Sequence, residues 1–273
     1  MTNDKALTAP DIRDRKRREK LVMLTAYDYT LAALLDPDVD MLLVGDSLGC
    51  VVQGHSNTLA VTLDEAIYHA RMVSRAAKHA LVIGDLPFGS YQIDSRQGLE
   101  SALRLVKEAG VGAVKLEGGQ SVCRTIERIH KAGIPVMAHI GLTPQSFHAL
   151  GGNRVQGKQV EQAQRLIEDA KAVAEAGAFA LVLEAMPAPL ALQITETISI
   201  PTIGIGAGSG CDGQVLVSHD MLGFNQNGVP MKFNKEYCQL RSNIREAIQN
   251  FAREVRDGAF PESSHSYGLK QAS

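Results

Sequence analysis

The chain has 273 residues, 45% hydrophobic and 21% charged, with 28 Lys and Arg against 30 Asp and Glu and a net charge of −2. That composition excludes intrinsic disorder, and a chain of this size can bury about 75% of its unfolded surface without disulfide or metal staples. The balanced charge supplies no global field for nucleic acid or an acidic membrane surface, so neither partner is expected.

Four cysteines, at 50, 123, 211 and 238, form no CxxC pair or finger-like spacing, which fits a reducing, cytoplasmic setting. The longest apolar run, Ala178 to Leu183, falls far short of the ~20 residues that span a bilayer. Residues 1–20 lack an apolar signal core, and Asp4, Asp11, Asp14 and Glu19 argue against a transit peptide. Their run Arg13-Asp14-Arg15-Lys16-Arg17-Arg18 reads as a solvated helix face in a polar extension.

Eight strand-like runs follow: Leu21–Thr25, Met41–Gly45, Leu81–Gly84, Ala113–Leu116, Pro135–Ala138, Ala178–Leu183, Thr202–Ile205 and Gln214–Ser218. Most are continuously apolar, as parallel strands covered on both faces should be. Helical stretches separate them. Thr62-Leu63-Asp64-Glu65 is a capping box, and Gly110, Gly133 and Gly177 stand where helices end on a left-handed residue. The alternation predicts a single (βα)8 TIM barrel over 21–257, followed by a tail over 258–273. An open doubly wound sheet would need a Gly-rich turn after the first strand, and Leu24-Thr25-Ala26-Tyr27-Asp28 has no glycine.

Reactive groups in parallel α/β folds gather where strands end. Here the runs end on Asp46-Ser47, Asp85, Lys115-Leu116-Glu117, near His139, and on Glu184. If neighbouring strands lie about 4.8 Å apart, Asp46, Asp85 and Glu117 occupy equivalent places and converge. Such acids must be protonated, paired with cations or neutralised by a metal, and an all-oxygen set selects Mg²⁺. Lys115 could hold a substrate carboxylate, form a Schiff base or pair with Glu117, which lies two residues on and on the same side. Glu184 follows a run apolar enough to desolvate it and suits a general base, or it is a helix-entry acid. His139 is either a further polar contact or an ordinary barrel histidine. The glycines from Gly204 to Gly210 could cradle phosphate or permit close packing beneath a ligand.

These residues sit in longer motifs: Thr25-Ala26-Tyr27-Asp28-Tyr29, Val44-Gly45-Asp46-Ser47-Leu48-Gly49, Gln53-Gly54-His55 and Asp85-Leu86-Pro87-Phe88. Lys115-Leu116-Glu117-Gly118-Gly119, His139-Ile140-Gly141-Leu142-Thr143-Pro144-Gln145-Ser146, Val155-Gln156-Gly157, Leu183-Glu184 and Gly204-Ile205-Gly206-Ala207-Gly208 continue the series. In that order they closely resemble the ketopantoate hydroxymethyltransferase family, over roughly 21–262. The resemblance implies a barrel enzyme assembled as a homodecamer. It implies transfer of a one-carbon unit from 5,10-methylenetetrahydrofolate to 3-methyl-2-oxobutanoate, giving 2-dehydropantoate for pantothenate and coenzyme A synthesis. By motif, Asp46 and Asp85 look like Mg²⁺ ligands with Glu117 completing the set. Asp46, Ser47, Asp85 and Lys115 resemble the substrate-binding residues, and Glu184 the proton acceptor. Ala60, Asn153 and Ala185 depart from the family pattern, and none replaces a charged group.

Two other readings compete. A Mg²⁺-dependent lyase of the isocitrate lyase group would carry a Lys-Lys-Cys-Gly-His loop, which does not occur here. An inactive scaffold would have lost at least one of Asp46, Asp85, Glu117 or Glu184, and all are present.

Overall fold

The computed structural model describes residues 5–224 and 231–268. Its strands are β1 (Leu21–Thr25), β2 (Met41–Val44), β3 (Leu81–Asp85), β4 (Ala113–Glu117), β5 (Val136–Gly141), β6 (Ala180–Glu184), β7 (Thr202–Ile205) and β8 (Gly213–Leu216). All are parallel, and β8 pairs with β1 to close the barrel. The helices are α1 (Ala9–Asp14), α2 (Tyr29–Leu35), α3 (Leu48–Val51), α4 (Leu63–Ala76), α5 (Ser95–Arg104) and α6 (Cys123–Lys131). They continue with α7 (Phe147–Leu150), α8 (Val160–Glu175), α9 (Ala188–Thr197), α10 (Ser218–Met221) and α11 (Leu240–Arg256).

Every expected run is a strand, although several ends move. Strands β3, β4 and β6 extend onto Asp85, Glu117 and Glu184, and β5 runs on to Gly141. Ladder hydrogen bonds use the backbone and ignore side-chain polarity, so an apolar run understates the strand. The Thr62–Glu65 capping box forms, and Gly110, Gly133 and Gly177 take φ of 75°, 85° and 102° at the helix ends.

Apolar character on both faces has a direct cause. Met41, Leu43, Leu81, Ile83, Met137, Val182 and Val215 fill the lumen, whereas Leu42, Val44, Val82, Val114, Leu116 and Leu183 meet the surrounding helices. Side chains alternate along a strand, so the same period turns Asp85, Lys115, Glu117, His139 and Glu184 into the lumen above its apolar layers. The strands are staggered. Asp85 stands opposite Lys115, Glu117 opposite His139, and Gly141 opposite Glu184. The acids are therefore not at equivalent heights, because closing a barrel shears each strand against the next.

The N-terminal segment closes the barrel's lower end. Ala9 and Ile12 of α1 join the lumen cluster, and Ile12 is wholly buried. The basic run is not uniformly solvated. Arg15 pairs with Asp40, and Lys16 Nζ lies 3.0 Å from the buried Asp212, which also accepts the backbone amides of Arg17 and Thr202. Arg13, Arg17 and Arg18 stay exposed. At the other end, α11 buries none of its residues. Its Ile244, Ile248, Phe251 and Val255 form one exposed stripe at helical spacing, and the ring of Phe260 in the following segment meets that of Phe251.

Gly141 shows how closely β5 and β6 approach. With φ at +97°, a Cβ there would sit 2.2 Å from the Glu184 carbonyl oxygen, while Gly133 (φ +85°) faces open space. We expect Gly133→Ala to cost only the left-handed backbone penalty of roughly 1–2 kcal/mol. Gly141→Ala adds displacement of the Glu184 strand and should cost about 3 kcal/mol or more. Calorimetry separates the two at roughly 2–4 °C per kcal/mol. Equal melting temperatures would mean that β6 yields freely.

Candidate active site

A cavity of about 240 Å³ opens where the strands end, lined by Asp46, Ser47, Asp85, Lys115, Glu117, His139 and Glu184. Every site residue expected from the sequence thus reaches one space. The rest of the lining is largely apolar: Leu43, Val182 and Val215 from the lumen layers, with Ile205, Met231 and Phe233.

The polar side is organised about Lys115. Its Nζ lies 2.8 and 2.7 Å from the two oxygens of Asp85, and 4.0 Å from Glu117 Oε1. The main ion pair is thus with the cross-strand Asp85 and not with Glu117. Partners directly opposite lie about 4.8 Å apart along the ladder, whereas positions i and i+2 of one strand are separated by about 6.6 Å. His139 stands between two acids, with Nε2 3.2 Å from Glu184 Oε2 and Nδ1 3.5 Å from Glu117 Oε1. Both are charge contacts without in-line hydrogen-bond geometry. His139 is therefore more than a barrel-filling residue.

Burial dominates the electrostatics. It raises Asp46 well above the ordinary carboxylate range, aided by the charges of Asp85 and Glu117. Burial also raises Asp85, with Lys115 working against it. For Glu117 burial is outweighed by His139 and Lys115, and its pKa falls. The ammonium of Lys115 overcomes its own desolvation because Asp85, Glu117 and Asp46 surround it, and its pKa rises. His139 behaves alike: burial opposes its charge, but Glu117 and Glu184 prevail and lift it to about 9.

Uncharged residues complete the site, and the sequence reading assigned them no role. The hydroxyl of the fully buried Tyr27 meets Ser47 Oγ at 2.8 Å, fixing that side chain at the rim. Gln145 donates to the carboxylates of Glu117 and Asp46, and the Tyr91 hydroxyl meets the Gln145 side chain and the Glu117 backbone. All lie in or beside motifs quoted above, but their contacts join loops far apart in sequence. The glycines near 206 serve close packing: a Cβ at Gly206 would meet Phe233 at 2.4 Å and one at Gly208 would meet Ala188 at 2.5 Å. Asn153 lines the cavity, and Ala185, directly after Glu184, holds a left-handed φ of 47°.

The donor set suits a hard divalent cation. Four carboxyl groups, Asp46, Asp85, Glu117 and Glu184, line the cavity beside two basic groups, Lys115 and His139, so oxygen donors outnumber their cationic partners. Among the described residues no three Asp, Glu, His or Cys side chains close on one point as a finished cage. A partial oxygen set is what Mg²⁺ accepts, since it retains water or substrate oxygens as its other ligands.

The family model for ketopantoate hydroxymethyltransferase matches residues 6–263. A protein of Oleidesulfovibrio alaskensis named 3-methyl-2-oxobutanoate hydroxymethyltransferase is 56% identical, covering 98% of this chain and 92% of its own. One of the same name from Geobacter sulfurreducens is 55% identical, covering 97% and 99%. Among solved structures, phosphoenolpyruvate phosphomutase from Streptomyces platensis subsp. rosaceus superposes with a TM-score of 0.61 at 16% identity, over 92% of this chain and 88% of that one. A 2,3-dimethylmalate lyase of the PEP mutase/isocitrate lyase superfamily gives 0.57 at 16% identity, over 96% and 92%. At such identity the structures share the barrel alone. The match over nearly the whole length and the identity above one half show that the chain belongs to the ketopantoate hydroxymethyltransferase family of enzymes.

Proposed function

We propose that the chain transfers a one-carbon unit from 5,10-methylenetetrahydrofolate to 3-methyl-2-oxobutanoate, giving 2-dehydropantoate in pantothenate and coenzyme A synthesis. The observation that carries this reading is the lumen cluster: a buried ammonium among carboxylates, beside an apolar lining. A branched oxo acid is complementary to both. Asp46, Asp85 and Glu117 would hold Mg²⁺, which when bound supplies Lewis acidity toward the oxo acid's oxygens.

The chain's own groups do the rest. Lys115 offsets the substrate's carboxylate charge, and Ser47, fixed by Tyr27, adds a hydroxyl contact. Glu184 takes the proton from the carbon beside the keto group, its carboxylate steadied by His139. The folate ring opens with N10 protonated and the methylene held as the N5 iminium. The carbon attacks that methylene, the C–N5 bond then breaks to release tetrahydrofolate, and water gives its hydroxyl to the methylene carbon and its proton to N5. The apolar lining of Val182, Ile205 and Val215 accommodates the branched end.

Assembly as a homodecamer in the cytoplasm belongs to the same reading. The uncovered stripe of α11 supports self-association, and the four cysteines are all free. No helix among the described residues is long and apolar enough to cross a membrane.

Tetrahydrofolate release from the two substrates tests the activity. It should stop with chelator and return with added Mg²⁺; turnover that persists after metal stripping would remove the metal from the reading. Glu184→Gln should lower kcat by about 10²–10⁴, the usual worth of a general base. It should also abolish deuterium exchange at C3 of the oxo acid without folate, and undiminished exchange would show that another group takes the proton. For assembly, Phe251→Glu should shift sedimentation velocity toward smaller species, and an unchanged profile would clear α11 of an interface role.

A further inference from the structure

Gln145 lies in a short 3-10 helix (Pro144–Ser146) between β5 and α7, 5% exposed, and its side-chain amide has every bonding position filled. Nε2 donates to Asp46 Oδ2 and to the Leu86 carbonyl, both at 2.9 Å. Oε1 accepts from the Tyr91 hydroxyl at 2.6 Å and from Gln92 Nε2 at 3.1 Å. The backbone amide of Gln145 donates to Glu117 Oε2 at 2.9 Å, and Tyr91 Oη accepts the Glu117 amide at 3.1 Å.

One residue therefore links an acid that follows β2 to an acid on β4, strands that β3 keeps apart. It takes a single oxygen from each carboxylate, Asp46 Oδ2 and Glu117 Oε2, and leaves Asp46 Oδ1 and Glu117 Oε1 for other partners. Glu117 Oε1 is the atom that faces Lys115 and His139. A cation in the same place would pair with these acids and spend their charge. A neutral amide donates hydrogen bonds and orients them, but the negative charge stays in the lumen to be met by something else. The four filled bonds also fix the amide's orientation, so its aim does not depend on a bound ligand.

We propose that Gln145, braced by Tyr91, is a positioning residue that holds Asp46 and Glu117 ready for a divalent, oxygen-preferring cation. This rests on the metal role proposed above for those acids. Partners of this kind typically contribute 10–100-fold in metal affinity.

The test uses metal-stripped full-length protein and Mn²⁺, read by electron paramagnetic resonance of the free ion, a probe that suits oxygen donors. Gln145→Met keeps the length and the backbone bond to Glu117 but removes the four side-chain bonds, the one to Asp46 among them, so Mn²⁺ should bind about 10–100-fold more weakly. The Mg²⁺ concentration for half-maximal turnover should rise in parallel. Tyr91→Phe deletes one hydroxyl and should shift both in the same direction by less; it decides the matter if Gln145→Met does not fold. A lowered melting temperature with unchanged Mn²⁺ affinity in the folded variants would reduce Gln145 to a structural residue and overturn the proposal. Wild-type protein that binds no Mn²⁺ would instead overturn the metal reading, and this inference with it.

Discussion

Lys115 and Asp85 meet inside a barrel with side-chain exposures of only 5% and 2%, and the other polar groups are arranged around that contact. Removing two charges from water costs several kcal/mol per ion, and only close, multiply bonded partners offset it. The ammonium engages both oxygens of Asp85. The remaining acids keep their distance through other devices: an imidazole between Glu117 and Glu184, and Gln145 between Glu117 and Asp46, its backbone amide on the first and its carboxamide on the second. The pair is cross-linked by strand register, so the sheet itself sets its separation.

This arrangement depends on the layers beneath it. Met41, Leu81, Met137, Phe179 and their neighbours exclude water from below, with Ile12 sealing the end. One stack of side chains thus changes from apolar to charged within two residues along each of β3 and β4. The lower layers serve stability and the upper serves chemistry, the division of labour common to this fold.

The barrel was readable from the sequence because covered parallel strands leave continuous apolar runs and their helices end on glycine. Asp46, Asp85, Lys115, Glu117, His139 and Glu184 were readable because charge at the end of such a run is conspicuous. Heights were not: strand stagger is a property of closure, invisible in any one segment, so spacing offered Glu117 among the roles open to Lys115 but not its cross-strand partner Asp85. Gln145, Tyr91 and Tyr27 carry no charge and act across loops, and only tertiary contact reveals their partners. The role of α1 was hidden for a further reason. Two buried side chains, Ala9 and Ile12, are too few to mark a periodicity within a basic run.

A sealed floor has a kinetic corollary. With Ile12 and the lumen methionines blocking one end, the pocket is a well that opens, among the described residues, at the rim. On the proposed reading, the smaller oxo acid descends to Lys115 before the bulkier folate covers it, and the spent folate departs before the product can follow. That reading carries a compulsory order of arrival and departure, with the second reactant as the stopper for the first.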